Sequence, residues 1–208
     1  MVVADWFDRD VSELCIERVR GDALVGHLRE LAVLRIAVFR EYPYLYEGSL
    51  DYEMRYLARY AETTGSHLVI ARDAERVVGA STCTPLVGQS ADVLQPFRQA
   101  GYDLSTVCYF GESVLLPEYR GRGLGHAFFN QREEAAREAG FRWATFCAVV
   151  RGHDHPRKPK GYVPHDAFWG KRGFVRRPEL SARFSWRDLG ENEESAKDMV
   201  FWTRELAT

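Results

Sequence analysis

Apolar positions recur along the chain in two rhythms, near every second residue and near every third or fourth, and the switches between them predict the order of elements. Residues 12–19 mix polar and apolar side chains with partial alternation, which predicts a half-buried opening strand. Gly21 and Asp22 break it. Asp22 suits a helix start, and Leu24, Leu28, Leu31 and Val38 follow at helical spacing up to Tyr42-Pro43. A second helix begins near Leu50, with Asp51 and Glu53 in its first turn and Leu50, Met54, Leu57 and Ala61 on one face, and it stops by Gly65.

Residues 67–71 and 77–84 read as strands joined by the polar turn 72–76, an antiparallel hairpin. From 85 to 106 the pattern lapses around Gly88, Pro96 and Gly101, leaving a short helix at 93–99; insertions of this kind are more often functional than idle. A strand is predicted over 107–116 and a helix over 124–139, with Leu124, Phe128, Ala135 and Ala139 on one stripe and Glu133 and Arg137 as an exposed pair. Gly140 stops that helix, and 143–150 is a near-continuous apolar strand, so a strand–helix–strand crossover makes one parallel pair. A short helix over 164–172 closed by Gly173, a strand at 174–177, and strands at 182–187 and 197–204 around an acidic turn complete the chain. The sum is an α+β fold with one mixed sheet.

The chain has 208 residues, within the range of one domain, so residues 1–208 are expected to form a single unit. Lys and Arg number 28 against 30 Asp and Glu, a formal charge of −2, which gives no footprint for nucleic acid or an anionic membrane. Cys15, Cys83, Cys108 and Cys147 are far apart, with no zinc or redox spacing, and read as packing thiols in a reducing cytosol. Asp5, Asp8, Arg9 and Asp10 stand where a signal peptide would need an apolar run, and no run is long enough to cross a membrane, so the expected location is the cytoplasm.

The chemistry concentrates in Ser113-Val114-Leu115-Leu116-Pro117-Glu118-Tyr119-Arg120-Gly121-Arg122-Gly123-Leu124-Gly125-His126, a strand entering a helix through a glycine-rich turn. Glycines allow close backbone approach, and unsatisfied N–H groups at a helix start favour an anion such as a pyrophosphate. A Walker loop would need Gly-Lys-Ser/Thr, which is absent, and the dinucleotide Gly-x-Gly-x-x-Gly is broken after Gly121 and Gly123. The stretch resembles the acetyl-CoA motif of the GNAT family of N-acetyltransferases, Arg/Gln-x-x-Gly-x-Gly/Ala, matched by Arg120 to Gly125. The order of elements fits over nearly the whole chain. The resemblance implies a layered α/β/α fold, a mostly antiparallel sheet whose central parallel strands splay apart, and acetyl-CoA as cosubstrate. It assigns Ser113, Val114 and Leu115 to the pantetheine arm and Gly121, Arg122, Gly123, Leu124, Gly125 and His126 to the pyrophosphate through backbone amides, with Arg120 and Arg122 adding charge.

Direct attack of an amine on a thioester needs a base, an oxyanion donor and a proton for the departing thiolate. In several members of the family a carboxylate at the position of Glu112 takes the amine proton, directly or through water, and the usual acid is a tyrosine four residues before a Gly-Phe pair. Here the pair is Gly173-Phe174 and the residue four back is Trp169, a departure, since indole does not supply a proton near neutral pH. Tyr162 and His165 are the remaining candidates for the acid. Tyr42, Tyr44 and Tyr46, on a proline-broken connector, are candidate walls of an acceptor pocket together with the 85–106 insertion. His153 and His155 lack an evident third ligand and read as part of a basic flap rather than a metal site. The expected activity is acetyl transfer to a primary amine of a small molecule or peptide, the expected assembly a monomer or homodimer. The rival reading is a catalytically silent acyl-CoA sensor.

Overall fold

A computed structural model describes residues 14–207; the N-terminal acidic residues and the first two positions of the predicted opening strand lie outside them. The strands β1 (Leu14–Arg20), β2 (His67–Asp73), β3 (Arg76–Pro85), β4 (Val107–Tyr109), β5 (Ser113–Leu115), β6 (Trp143–Val149), β7 (Val175–Trp186) and β8 (Ser195–Glu205) form an 8-stranded sheet. Its order is β1-β2-β3-β4-β6-β8-β7, with β5 pairing β3 beyond β4. Among the strands of the described residues only β4 and β6 run parallel. The α+β class and the mostly antiparallel sheet with one central parallel pair are as expected.

Helices cover both faces. α1 (Leu28–Phe39) and α2 (Leu50–Glu62) bury Leu31, Leu34 and Leu57 against Leu68, Ile70, Ala80 and Val114. α2 starts where Ser49 accepts from the Tyr52 N–H at 3.4 Å, a cap that satisfies one orphan donor. α4 (Leu124–Glu138) lies on the opposite face, with Leu124 and Phe128 on Val69, Ala71 and Val78, and Phe129, Ala135 and Ala136 on Cys108, Ala144 and Trp202. α3 (Ala91–Gln99) seats Phe97 on Phe201, ring centroids 5.0 Å apart, and α5 (Asp166–Lys171) adds Phe168 and Trp169 to the α4 side. None of these helices is long and apolar enough to cross a membrane.

Four expectations change. The helix expected from Asp22 begins as a 3-10 turn over Gly21–His27, whose glycines at 21 and 26 weaken α-helical propensity, and becomes α-helical only at Leu28. The strand expected over 107–116 is broken at residues 110–112 into β4 and β5. The strands expected at 174–177 and 182–187 are one, β7, whose register shifts between Arg177 and Ser181, the place where Pro178 has no N–H to give the ladder. Glu133 does pair with Arg137 at 3.4 Å, yet it is buried, because α5 and β8 bring Arg172 and Arg204 onto it, each at 2.8 Å.

Candidate active site

The break at 110–112 organises the site. The parallel ladder runs from Val107↔Trp143 to Tyr109↔Thr145 and closes with Phe110 N–H donating to Thr145 O at 2.7 Å. The chain then leaves β6: Glu112 N–H donates to Thr82 Oγ1 at 2.8 Å, and Glu112 O accepts from Thr82 N at 3.0 Å. The two strands part from there. Because Thr82–Glu112 and Val78–Leu116 are hydrogen-bonded pairs of the β3–β5 ladder, antiparallel alternation makes Ala80–Val114 a third, and turns the main-chain groups of Ser113 and Leu115 away from β3 toward the cleft. Arg120 Nε donates to Leu115 O on that edge, at 3.2 Å.

Gly111 makes the break possible. A Cβ there would fall inside van der Waals distance of Tyr60 Oη and 2.9 Å from Thr82 Oγ1. Gly111→Ala is therefore expected to lower stability by about 1–3 kcal/mol, as overpacking in a formed core does, measured by urea denaturation.

Beyond β5 the chain passes through a 3-10 turn, Pro117–Tyr119, into the glycine turn. Gly121 and Gly123 have φ of 74° and 83°, left-handed values that disfavour any side chain, and Gly123 is the N-cap of α4 without a side-chain cap. The N–H groups of residues 121–126 donate to no acceptor among the described residues; the first helical bond there is Ala127 N–H to Gly123 O at 3.2 Å. Consecutive free amides at the positive end of a 15-residue helix form a concave anion site. Gly125 lies close to Phe168, whose ring would stand 3.6 Å from a Cβ there, and His126 packs edge-on against the same ring, centroids 4.9 Å apart. The arginines are partly engaged: Arg120 pairs with Glu41 at 2.8 Å, and Arg122 lies over the Tyr119 ring at 5.1 Å.

On the other face the same break opens onto a cavity of ≈ 220 Å³ between α1, α2, the 40–49 connector and the ends of β4 and β6–β8. Its floor is a buried charge cluster. Arg35 on α1 contacts Glu53 of α2 through Nε and Glu112 through Nη1, and all three are less than 9% exposed. Tyr56 and Tyr60, one helical turn apart on α2, donate to Glu112 Oε1 at 3.1 and 3.4 Å, and Tyr46 donates to Glu53 at 2.6 Å. Burial works against the charge on Arg35, but Tyr56 and Glu53 outweigh it and raise the pKa.

The predicted residues divide between two places. Glu112, Tyr44 and Tyr46 line the cavity; Tyr42, Tyr162 and His165 do not. Tyr42 instead meets Tyr162 edge-on, centroids 4.7 Å apart, and His155 at 5.7 Å. His165 feels the charge of Arg120, which together with the larger effect of burial lowers its pKa; burial raises that of Tyr162, with Tyr42 adding to the shift. Trp169 packs into the α4-side core against Phe146 and Trp202, at 5.0 and 5.2 Å. Cys147 lines the cavity, shares a 3.3 Å contact with Tyr109 Oη, and is pushed up to about 11 by burial, so it is no thiolate. Of the 85–106 insertion, only Leu86's neighbours Gly88, Gln89 and Ser90 and the helical Val93 reach the cavity.

Reading the sequence missed Arg35, Glu53, Tyr56, Tyr60 and Arg151. The spacing of Tyr52, Tyr56 and Tyr60 was the available signal, an i,i+4 ladder beside the apolar stripe of α2. Arg151 clamps the tyrosine connector: it donates to Pro43 O and Tyr44 O, each at 2.7 Å, and pairs with buried Asp188 at 2.8 Å.

The profile of the Acetyltransferase (GNAT) family matches residues 31–156, more than half the chain. No curated protein sequence matches it. Among solved structures, yncA of Salmonella typhimurium, solved with its cofactor acetyl-CoA, is similar at 11% identity and TM-score 0.60, covering 95% of this chain and 96% of its own. Ribosomal-protein-alanine N-acetyltransferase from Brucella melitensis is similar at 15% identity and TM-score 0.59, covering 93% and 100%. A GNAT-family protein from Desulfovibrio desulfuricans aligns at 14% identity and TM-score 0.56, covering 93% and 99%. Fold, glycine turn and profile agree with the cosubstrate that the resemblance implied, acetyl-CoA, and the chain belongs to the GNAT family of acetyltransferases.

Proposed function

We propose that residues 1–208 work as one cytoplasmic domain that transfers the acetyl group of acetyl-CoA to a primary amine by direct attack. One juxtaposition carries this reading: the free amides of 121–126 and the open edge of β5 lead to residues 110–112, where Glu112 stands at the floor of the tyrosine-lined cavity. Acetyl-CoA, when bound, supplies the activated acyl group. The amides of Gly121 to His126 hold its pyrophosphate, with Arg120 and Arg122 adding positive charge. Main-chain groups of Ser113 and Leu115 hold the pantetheine arm, while Val114, paired to Ala80 and fully buried, contributes by holding the strand. Glu112 receives the amine proton, Tyr56 and Tyr60 keep its carboxylate in place, and Tyr44 and Tyr46 bound the acceptor. Of the two acid candidates Tyr162 is the better, because a phenol carries its proton at neutral pH, even though burial makes this one a weaker acid, whereas the lowered pKa of His165 leaves that ring neutral.

Glu112→Gln is the test. The amide keeps the shape but cannot take the proton, so kcat is expected to fall about 100-fold or more, the scale of a lost general base, while calorimetric affinity for acetyl-CoA stays within about twofold of wild type. A variant that keeps most of its kcat would remove Glu112 from the chemistry. Tight acetyl-CoA binding with no turnover on any amine would instead identify a silent sensor.

A further inference from the structure

The cavity presents a carboxylate at its inner end and a guanidinium at its outer end. At the floor, the carboxylate of Glu112 faces the point where the acceptor nitrogen must arrive; Arg35 is shared between it and Glu53, which lies behind the lining, and Arg132 Nη1 donates to the main-chain O of Glu112 at 3.2 Å rather than to its carboxylate. At the rim stands Arg59, on α2 one residue before Tyr60. Its Nε donates to Tyr56 O at 3.4 Å and its guanidinium lies 4.9 Å over the Tyr56 ring, which holds it on the cavity side. No carboxylate lies within 4.0 Å of it among the described residues, so its charge is free to meet a ligand. Between floor and rim the walls are aromatic and apolar, Phe39, Tyr44, Phe184, Trp186 and Met199 among them. A cavity of about 150 Å³ holds a benzene ring; ≈ 220 Å³ leaves room for such a body and a few atoms more.

We infer that the acceptor is a small zwitterionic amine: its nitrogen reaches the carboxylate of Glu112 at the floor, an apolar or aromatic body fills the middle, and an anionic group at its far end meets Arg59. This rests on the acetyltransferase reading for what happens to the nitrogen, but the recognition itself is a binding property. A planar guanidinium with its outer N–H groups unengaged suits a carboxylate or a related oxyanion, which it can grip with parallel bonds. The Tyr56 side chain spans the two ends, its hydroxyl on Glu112 and its ring under Arg59, so amine and anion are separated by roughly the length of an aromatic ring rather than sharing one carbon.

The experiment is equilibrium binding, followed by calorimetry, in the presence of CoA so that no transfer occurs. The probes are 4-(aminomethyl)benzoate and its neutral carboxamide, with wild type, Arg59→Gln and Arg59→Glu. Wild type is expected to bind the carboxylate about 10- to 100-fold more tightly, the worth of a charge-assisted pair. Arg59→Gln should bring the two probes level, and Arg59→Glu should favour 1,4-bis(aminomethyl)benzene. Equal binding of both probes to wild type, binding of neither, or a preference that survives Arg59→Gln would overturn the inference. Selective binding of the carboxylate would uphold the inference whether or not acetyl transfer follows once acetyl-CoA is supplied; the transferase reading falls only if no amine is turned over.

Discussion

Arg35→Met is expected to destabilise the protein by about 3–5 kcal/mol, the cost of removing one partner from a buried ion pair. The reason lies in what remains. Glu53 and Glu112 are 0% and 3% exposed, and without the guanidinium each keeps only tyrosine hydroxyls against its charge. Neither can turn to solvent, since Glu53 sits inside the α1–α2 interface and Glu112 is fixed through its own backbone to Thr82. The cost is therefore that of uncompensated buried charge rather than of lost packing, and urea denaturation should separate the two. Adding Glu53→Gln and Glu112→Gln to Arg35→Met removes the charges as well, and the triple variant should recover a substantial part of the loss. If Arg35→Met is as stable as wild type, the cluster is not the structural floor of the cavity.

The same cluster marks where legibility in the sequence ended. Gly121, Gly123 and Gly125 could be read because the demand on them is local: positive φ at the first two and a helix start at the third, within a short stretch of chain. The β2–β3 hairpin and α4 were legible for the same reason, through a polar turn between alternating runs and an apolar stripe stopped by a glycine. The cavity obeys no local rule. Arg35, Glu53 and Glu112 come from two helices and a strand, and each alone looks like an ordinary charged residue. The break at 110–112 depends on Tyr60 and Thr82, far away in sequence, so the run 107–116 looked like one strand. Tyr42 is adjacent to Tyr44 and Tyr46 in sequence, yet its ring packs on Tyr162 instead of lining the cavity.

The second large effect concerns the glycine turn. Gly123→Trp places a bulky side chain at φ 83°, at the N-cap where the free amides converge, and Gly125→Trp drives an indole toward Phe168 and across the mouth of the same concavity. Both should weaken acetyl-CoA binding by at least about 100-fold, because a phosphate held by backbone N–H groups cannot approach past a side chain. Arg120→Ala and Arg122→Ala should lose much less, since Arg120 is shared with Glu41 and Leu115 O, and Arg122 rests on Tyr119. Neither glycine site lies in the core, so the folded state should survive both changes, which circular dichroism can establish beforehand.

The most direct measurement is calorimetric titration of the wild-type protein with acetyl-CoA beside Gly123→Trp and Gly125→Trp. Saturable binding to wild type that both variants lose is the predicted result. No binding to folded wild type, or equal binding to all three proteins, would contradict an acetyl-CoA cradle at residues 121–126.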